Sequence, residues 1–273
     1  MKSYTISVVV FSSDNYSDVW PIFFELFFRF WPDCPFDIYL FAGTKSYDDP
    51  RVISLPSGSG NDTPWSDRML NCLQRVESQY VMVFLEDFLL THKVNHPDVM
   101  RWIAWCADKD AAMLRFRPFP GPDQPIDRNV GAISAGMLHR VALQVAVWEK
   151  SALATLLGHH ESPWQFEHTG SVRSARYSGF YSLTDAAWKQ APIAYIQGIE
   201  KGIWNRGAVR FLGDQNIPID LAYRKALTVR QTIWWYFLSL KGRLLSCFPL
   251  RNQPQILSIV RWVYRHLGVK NGY

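Results

Sequence analysis

Two acidic residues, Glu86 and Asp87, follow directly on Tyr80-Val81-Met82-Val83-Phe84-Leu85, the most strand-like run in the chain. An acidic pair at the end of a buried strand is costly unless a cation or hydrogen-bond donors satisfy it. A divalent cation bridging diphosphate oxygens does so, because Mg²⁺ is held by one or two carboxylates and takes its remaining oxygens from substrate phosphates. A strand-end pair that merely caps the next segment is the plainer alternative. Arg68, next to Asp67, offers a planar fork that bonds phosphate oxygens bidentately, or else ordinary helix surface. Glu167 lies in Pro163-Trp164-Gln165-Phe166-Glu167, where the neighbouring aromatics would desolvate its carboxylate and raise its pKa. Its alternative is a helix-surface acid beside core aromatics.

Other chemistries lose their supports. The chain has no Gly-x-Ser-x-Gly elbow, no Gly-x-x-x-x-Gly-Lys phosphate loop and no Gly-x-Gly-x-x-Gly dinucleotide signature. His159, His160 and His168 make no metal spacing with any cysteine, and His159-His160 reads as a solvated helix end. Cys34, Cys72, Cys106 and Cys247 are widely spaced, as thiols used for small apolar bulk in a reducing compartment.

The elements that position these residues are read from periodicity. Thr5–Phe11 is an apolar, β-branched run closed by Ser12, Ser13, Asp14 and Asn15, the pattern of a buried parallel strand and not of a signal peptide. Asp18 to Phe30 carries an apolar stripe at helical spacing. Phe36–Ala42 and Arg51–Leu55 read as strands, and after a Gly/Ser turn Thr63 caps a helix that starts at Pro64 and runs to about Val76. Strand, helix, strand, helix builds a mostly parallel sheet whose ligands bind beyond the carboxyl ends of the strands. Ser12–Asn15 and Glu86–Asp87 are therefore expected to face one site. Further on, Ala111–Phe116 and Ala191–Ile196 read as strands, Val141–Trp148 as a strand or the entry to one, Arg117–Val130 as a Pro-rich loop and Pro163–Ser174 as a helix.

With 48% hydrophobic residues in 273, the chain can bury a large core, and no run approaches the length of a membrane-spanning helix. Charge divides it unevenly. From Leu221 to Tyr273 there are nine Lys or Arg and no acid, so taking nine from the overall +5 leaves residues 1–220 at −4. The expected organisation is a catalytic body over 1–220 and a basic, aromatic, helical tail over 221–273.

Val8-Val9-Val10-Phe11-Ser12-Ser13-Asp14-Asn15-Tyr16, Trp65-Ser66-Asp67-Arg68, Glu86-Asp87-Phe88 and Pro163-Trp164-Gln165-Phe166-Glu167 resemble bacterial glycosyltransferases with the nucleotide-diphospho-sugar transferase, or GT-A, fold, of the kind that build surface polysaccharide. The resemblance covers roughly residues 4 to 210. It implies an α/β fold, a mostly parallel sheet flanked by helices, and transfer of a sugar from a nucleotide-sugar to an acceptor hydroxyl. It places Ser12 and Asp14 beside the nucleotide, and Asp67, Arg68, Glu86 and Asp87 around the donor. Asp87 would hold a divalent cation, Mn or Mg, although this chain has Glu86-Asp87 where the family has Asp-x-Asp. Glu167 becomes the candidate general base, in the position of the family's acid on a later helix. Gln144 and Trp148 resemble the acceptor-side segment, where with Trp164 an indole face would carry a pyranose and an amide would bond its hydroxyls. A Trp in such a run is otherwise core.

The acceptor implied is a glycan or lipid-linked sugar, as in lipopolysaccharide. The cationic, aromatic tail suits an anionic membrane surface better than nucleic acid, which places the protein in the cytoplasm, peripheral on the inner membrane face. The rival class is a non-catalytic sugar- or nucleotide-binding scaffold that keeps the fold without the chemistry.

Overall fold

A computed structural model describes residues 4–232 except Ser59 and Asn61. From the amino end, β1 (Ile6–Phe11) leads through a 3-10 turn at Asp14–Tyr16 into α1 (Trp20–Phe30), β2 (Ile38–Ala42), β3 (Ile53–Pro56), α2 (Trp65–Leu73) and β4 (Tyr80–Leu85). Next come β5 (Phe88–Leu90), α3 (His96–Asp108), β6 (Met113–Arg115), β7 (Gln124–Pro125), β8 (Val130–Ala132) and β9 (Ala146–Glu149). They are followed by α4 (Lys150–Leu156), α5 (Pro163–Arg173), β10 (Phe180–Leu183), α6 (Asp185–Trp188), β11 (Tyr195–Gln197), β12 (Ile199–Glu200), β13 (Ile203–Trp204) and α7 (Arg206–Asp214).

Nine strands form one sheet in the order β3-β2-β1-β4-β9-β6-β10-β8-β7. β3, β2, β1 and β4 are mutually parallel, β9 inserts antiparallel between β4 and β6, and only β8 and β9 run against the rest. The chain thus forms the expected α/β architecture, a largely parallel sheet flanked by helices.

Successive side chains of a strand point to opposite faces, and here both faces are covered. Val8, Val10, Met82 and Phe84 enter one core, built with α1, α3 and α7. Val9, Phe11, Val81 and Val83 enter the other, which α2, α4 and α5 cover. That is why β1 and β4 are continuous apolar runs and not alternating ones. The aromatic stripe of α1 packs Phe23 and Phe27 edge-on against Phe84, fixing that helix across β4.

Several expected boundaries move. Pro64 takes the cap position of α2 with no side-chain hydrogen bond, and Thr63 instead accepts from Arg68 Nη1 through its carbonyl at 2.8 Å. The expected strand 141–148 starts only at Ala146, because Val141–Val145 run as a loop across the carboxyl end of the sheet. β11 pairs with β5 outside the main sheet. The body also continues past 220: Trp204 N–H donates to the Lys225 carbonyl, the Trp204 carbonyl accepts from Leu227 N–H, and Leu227 is buried. The remaining part of the expected tail, 233–273, lies outside the described residues. Cys34, Cys72 and Cys106 are free thiols.

Candidate active site

Parallel pairing of β1 with β4 sets Phe11 opposite Leu85, so Ser12 and Glu86 leave the sheet side by side. Ser12 Oγ accepts from Trp20 Nε1 at 2.7 Å, and a hydrogen bond from Ser12 also supports the Glu86 carboxylate. Asp87 is held by the segment that crosses it. Its carbonyl accepts from Gly198 N–H at 2.6 Å and its Oδ2 from Ile199 N–H at 3.2 Å. A side chain on Gly198 would crowd the Asp87 carbonyl, Leu89 and Trp204 at 3.2 Å, so the close crossing depends on glycine. Glu86 and Asp87 are both buried. Desolvation, and then the charge of Asp87, push the Glu86 pKa well above the carboxylate range. Desolvation likewise raises Asp87 to about 7, with Glu200 adding repulsion.

These residues line a cleft of about 470 Å³, a volume that accepts a nucleotide-sized ligand. Ser12, Arg68, Glu86, Asp87, Gln144 and Glu167 all border it, and Trp164 stands on its rim, 67% exposed. Three cationic side chains, Arg68, Arg117 and Lys201, face the same space, with the rings of Tyr16, Trp65 and Tyr195.

Glu167 reaches the cleft from α5, a helix fixed by the Ser162/Gln165 capping box with Pro163 in its first turn. Its Oε1 accepts from Leu143 N–H at 2.7 Å, and its Oε2 lies 3.9 Å from His139 Nδ1. Desolvation raises its pKa, opposed by the Leu143 hydrogen bond and by Arg115. Arg115 is fully buried behind it and donates to the His139 carbonyl at 2.7 Å and the Pro120 carbonyl at 2.6 Å. Gln144 Nε2 donates to the Phe119 carbonyl at 2.9 Å, while its Oε1 is buried with no hydrogen-bond partner.

Three expected site residues lie elsewhere. Trp148 is fully buried on β9, edge-on to Phe180 in the second core, so no sugar ring reaches its face. Asp14 turns its carboxylate onto the loop after β2. It accepts from Gly43 N at 3.0 Å, Thr44 N at 2.9 Å, Lys45 N at 3.2 Å and Thr44 Oγ1 at 2.7 Å. Asp67 ties α2 to the loop before α5, accepting from His160 N at 3.0 Å with His159 Nδ1 at 2.7 Å and His160 Nδ1 at 3.2 Å. The two histidines are exposed, as a solvated pair, but they are partners of Asp67 and not loose ends. Nor do Trp164 and Phe166 desolvate Glu167: the first is exposed, and the second is buried against Trp65.

Sequence reasoning passed over Tyr16, Arg117, Gln197, Glu200 and Lys201. Arg117 had a usable signal, since it stands just beyond the apolar run Ala111–Phe116, the placement that singled out Ser12 and Glu86. Glu200 and Lys201 had a weaker one in the turn residue Gly202, whose φ of +79° follows Lys201 at +48° in the β12–β13 hairpin. Among the described residues no group of three or more His, Cys, Asp or Glu is arranged to hold a metal.

No family model matches the chain, and no curated protein does. Its architecture is similar to that of several solved transferase structures. TarS 1-349 from S. aureus in complex with UDP aligns at 8% identity over 68% of this chain and 58% of that one, with a TM-score of 0.44. UTP-bound UGPase from Acinetobacter baumannii aligns at 9% identity over 87% and 99%, TM-score 0.48. The galactosyltransferase LgtC in complex with donor and acceptor sugar analogues aligns at 10% identity over 92% and 99%, TM-score 0.40. The chain spans 36% of the length of one TarS structure and 60% of another. At such identities and scores the likeness lends no weight to an activity, which has to come from the cleft.

Proposed function

We propose that the protein is a glycosyltransferase that moves a sugar from a nucleotide-sugar donor onto an acceptor hydroxyl. The observation that carries this reading is the meeting of the Glu86–Asp87 pair, Glu167 and three cationic side chains around one 470 Å³ cleft at the carboxyl end of a largely parallel sheet. Arg68, Arg117 and Lys201 suit a diphosphate, while Trp164 offers a sugar an exposed indole face. Glu167 takes the proton from the acceptor hydroxyl as it attacks the anomeric carbon and the nucleoside diphosphate departs. Burial raises its pKa above the ordinary carboxylate value, which makes it a stronger base than an exposed glutamate.

Glu86 and Asp87 fit a divalent cation in one sense only. Two buried carboxylates with raised pKa values favour a counter-charge, but two are too few to retain a metal by themselves. Such a cation, Mn or Mg, would arrive with the donor and neutralise charge on the leaving diphosphate, with Asp87 its ligand and Glu86 in support.

A panel of nucleotide-sugars, with and without Mn²⁺, read by thermal shift and by donor hydrolysis, tests the reading. Donor binding with neither hydrolysis nor transfer would mark a non-catalytic scaffold, and no binding at all would reject both. The acceptor we propose is a surface glycan or its lipid-linked precursor, met at the cytoplasmic face of an anionic membrane through the basic residues of 233–273. No helix of the described residues is long and apolar enough to cross a membrane.

A further inference from the structure

Arg224 lies in the segment that follows α7, far in sequence from every strand end that builds the cleft, yet its side chain is only 10% exposed. Its Nε and Nη2 grip the Asp18 carboxylate at 2.9 and 2.7 Å. Nη2 also donates to the Asn15 carbonyl at 2.7 Å, and Nη1 to the Gly202 carbonyl at 2.9 Å. The guanidinium sits 4.8 Å from the centre of the Tyr16 ring. One side chain thus joins three segments: the loop after β1, the β12–β13 hairpin, and the strap from Asp220 to Leu227 that carries Arg224.

Two of those segments are walls of the cleft. The loop brings Ser13 and Tyr16 to it, and the hairpin brings Ile199, Glu200 and Lys201. The hairpin is bonded to Asp87 on its other side through Gly198 and Ile199. The strap is fastened independently, with Leu227 N–H donating to the Trp204 carbonyl and Trp204 N–H to the Lys225 carbonyl, both at 2.9 Å. A planar fork with four hydrogen bonds in three directions fixes orientation in a way a flexible ammonium cannot.

We infer that Arg224 is a positioning residue for the cleft, holding the Tyr16 loop and the Glu200–Lys201 hairpin across from each other so that they close on the donor together. The inference rests on the transferase reading for the identity of the ligand, but not for the mechanical link. The strap thereby belongs to the site: the segment 220–227 reaches the walls of the cleft through this one side chain.

The test uses full-length protein carrying Arg224→Lys, Arg224→Gln or Asp18→Asn. Hydrogen exchange is followed by mass spectrometry at 13–18, at 199–204 and, as control, across β1 and β4. Calorimetry with UDP, GDP, ADP and CDP, each with Mn²⁺, gives nucleotide affinity. Expected are exchange rates at least about tenfold faster at both 13–18 and 199–204, unchanged rates in β1 and β4, and about tenfold weaker binding of whichever nucleotide the wild type takes. Arg224→Lys should behave like Arg224→Gln, since charge without the fork does not restore the geometry. Should an Arg224 variant fail to fold, Asp18→Asn, which keeps the side chain's shape but removes its charge and one of the two oxygens that accept from Arg224, still decides the matter. Unchanged exchange at either segment, or unchanged affinity in all variants of a wild type that binds, overturns the inference. If the wild type binds none of the four nucleotides, the transferase reading suffers, and the exchange result still decides the role of Arg224.

Discussion

The Leu143 amide donates to Glu167 Oε1 at 2.7 Å, which commits one oxygen of that carboxylate to the backbone and leaves Oε2, 3.9 Å from His139 Nδ1, for other chemistry. The His139 imidazole is itself held neutral, its pKa lowered to about 4 by burial, then by Arg115 and His168. Glu167 therefore has no imidazolium at His139 to pair with near neutrality, and the buried Arg115 behind it is the cation that lowers its pKa.

Replacing Glu167 with Gln keeps an acceptor for the Leu143 amide and removes the proton-accepting carboxylate. Turnover should fall by about a hundredfold or more while nucleotide affinity stays within about threefold, because general base catalysis is worth about that much and the loss falls on the acceptor step. Steady-state kinetics with calorimetry on the same variant checks it. Loss of nucleotide affinity together with rate would make Glu167 a donor ligand or a structural acid.

The Glu86–Asp87 pair carries opposite consequences for stability and for rate. Without a cation, Asp87 is a carboxylate held in a site that disfavours its charge, so Asp87→Asn in chelator at pH 8 should raise Tm by about 2 °C or more. The same change should lower transfer by about a hundredfold, since it removes the ligand for charge on the leaving diphosphate. Calorimetric melting and a transfer assay run on one preparation report both. Full transfer in chelator would instead leave the diphosphate to Arg68, Arg117 and Lys201.

Asp14 and Gly43 form a single unit, and it titrates. A Cβ on residue 43 would lie 2.8 Å from Asp14 Oδ2 and 3.0 Å from its Cγ. Gly43→Ala should therefore cost about 1–3 kcal/mol, and clearly less in an Asp14→Ala background where the obstruction is gone. Desolvation raises the Asp14 pKa, but hydrogen bonds from Thr44, Lys45 and Gly43 outweigh it and hold the folded value below 3.8. A depressed carboxylate pKa contributes stability above the unfolded value and loses it as pH falls through the folded one. The Tm advantage of wild type over Asp14→Asn should thus be full above about pH 5 and shrink below pH 3.8. A constant difference down to pH 2 would show that the Asp14 charge contributes nothing.

How far the sequence reached follows from where each residue sits. β1 and β4 declared themselves because strands buried on both faces are uninterrupted apolar runs, and the parallel register then places Ser12 beside Glu86 with no further information. Trp148 misled because β9 is also buried on both faces, and composition does not distinguish a core indole from one lining a cleft. Asp14 and Asp67 are polar residues at the right strand and helix ends, but their carboxylates close on backbone amides and histidines remote in sequence. Gly202 marks the turn that carries Glu200 and Lys201, but nothing local ties that turn or Arg224 to the site: what brings them there is the crossing of Gly198 over Asp87 and the return of the strap, both long-range contacts.

The structure also moves the cut that separates body from tail. Leu227 is buried and Arg224 is bonded to the cleft walls, so removing everything after Asp220 would damage the site itself. Thr228 accepts from Gln231 N–H through Oγ1 at 3.2 Å while Gln231 Oε1 accepts from Thr228 N–H at 2.9 Å, a reciprocal cap on the last described turn of helix. A truncation after Thr232 respects both features and removes six of the nine cations, Lys241, Arg243, Arg251, Arg261, Arg265 and Lys270. Each cation that reaches an anionic leaflet contributes about 1 kcal/mol, weakened by salt over a Debye length, while interfacial Trp and Tyr are insensitive to salt. Full-length protein should therefore sediment with anionic vesicles at low salt and partly at high salt, and the 1–232 protein at neither. The 1–232 protein should keep hydrolysis of a soluble donor within about threefold of full length, because the strap and its Arg224 contacts remain. Full-length protein left in the supernatant with anionic vesicles at low salt would remove the membrane from the proposed function and leave the transferase reading to stand on the cleft alone.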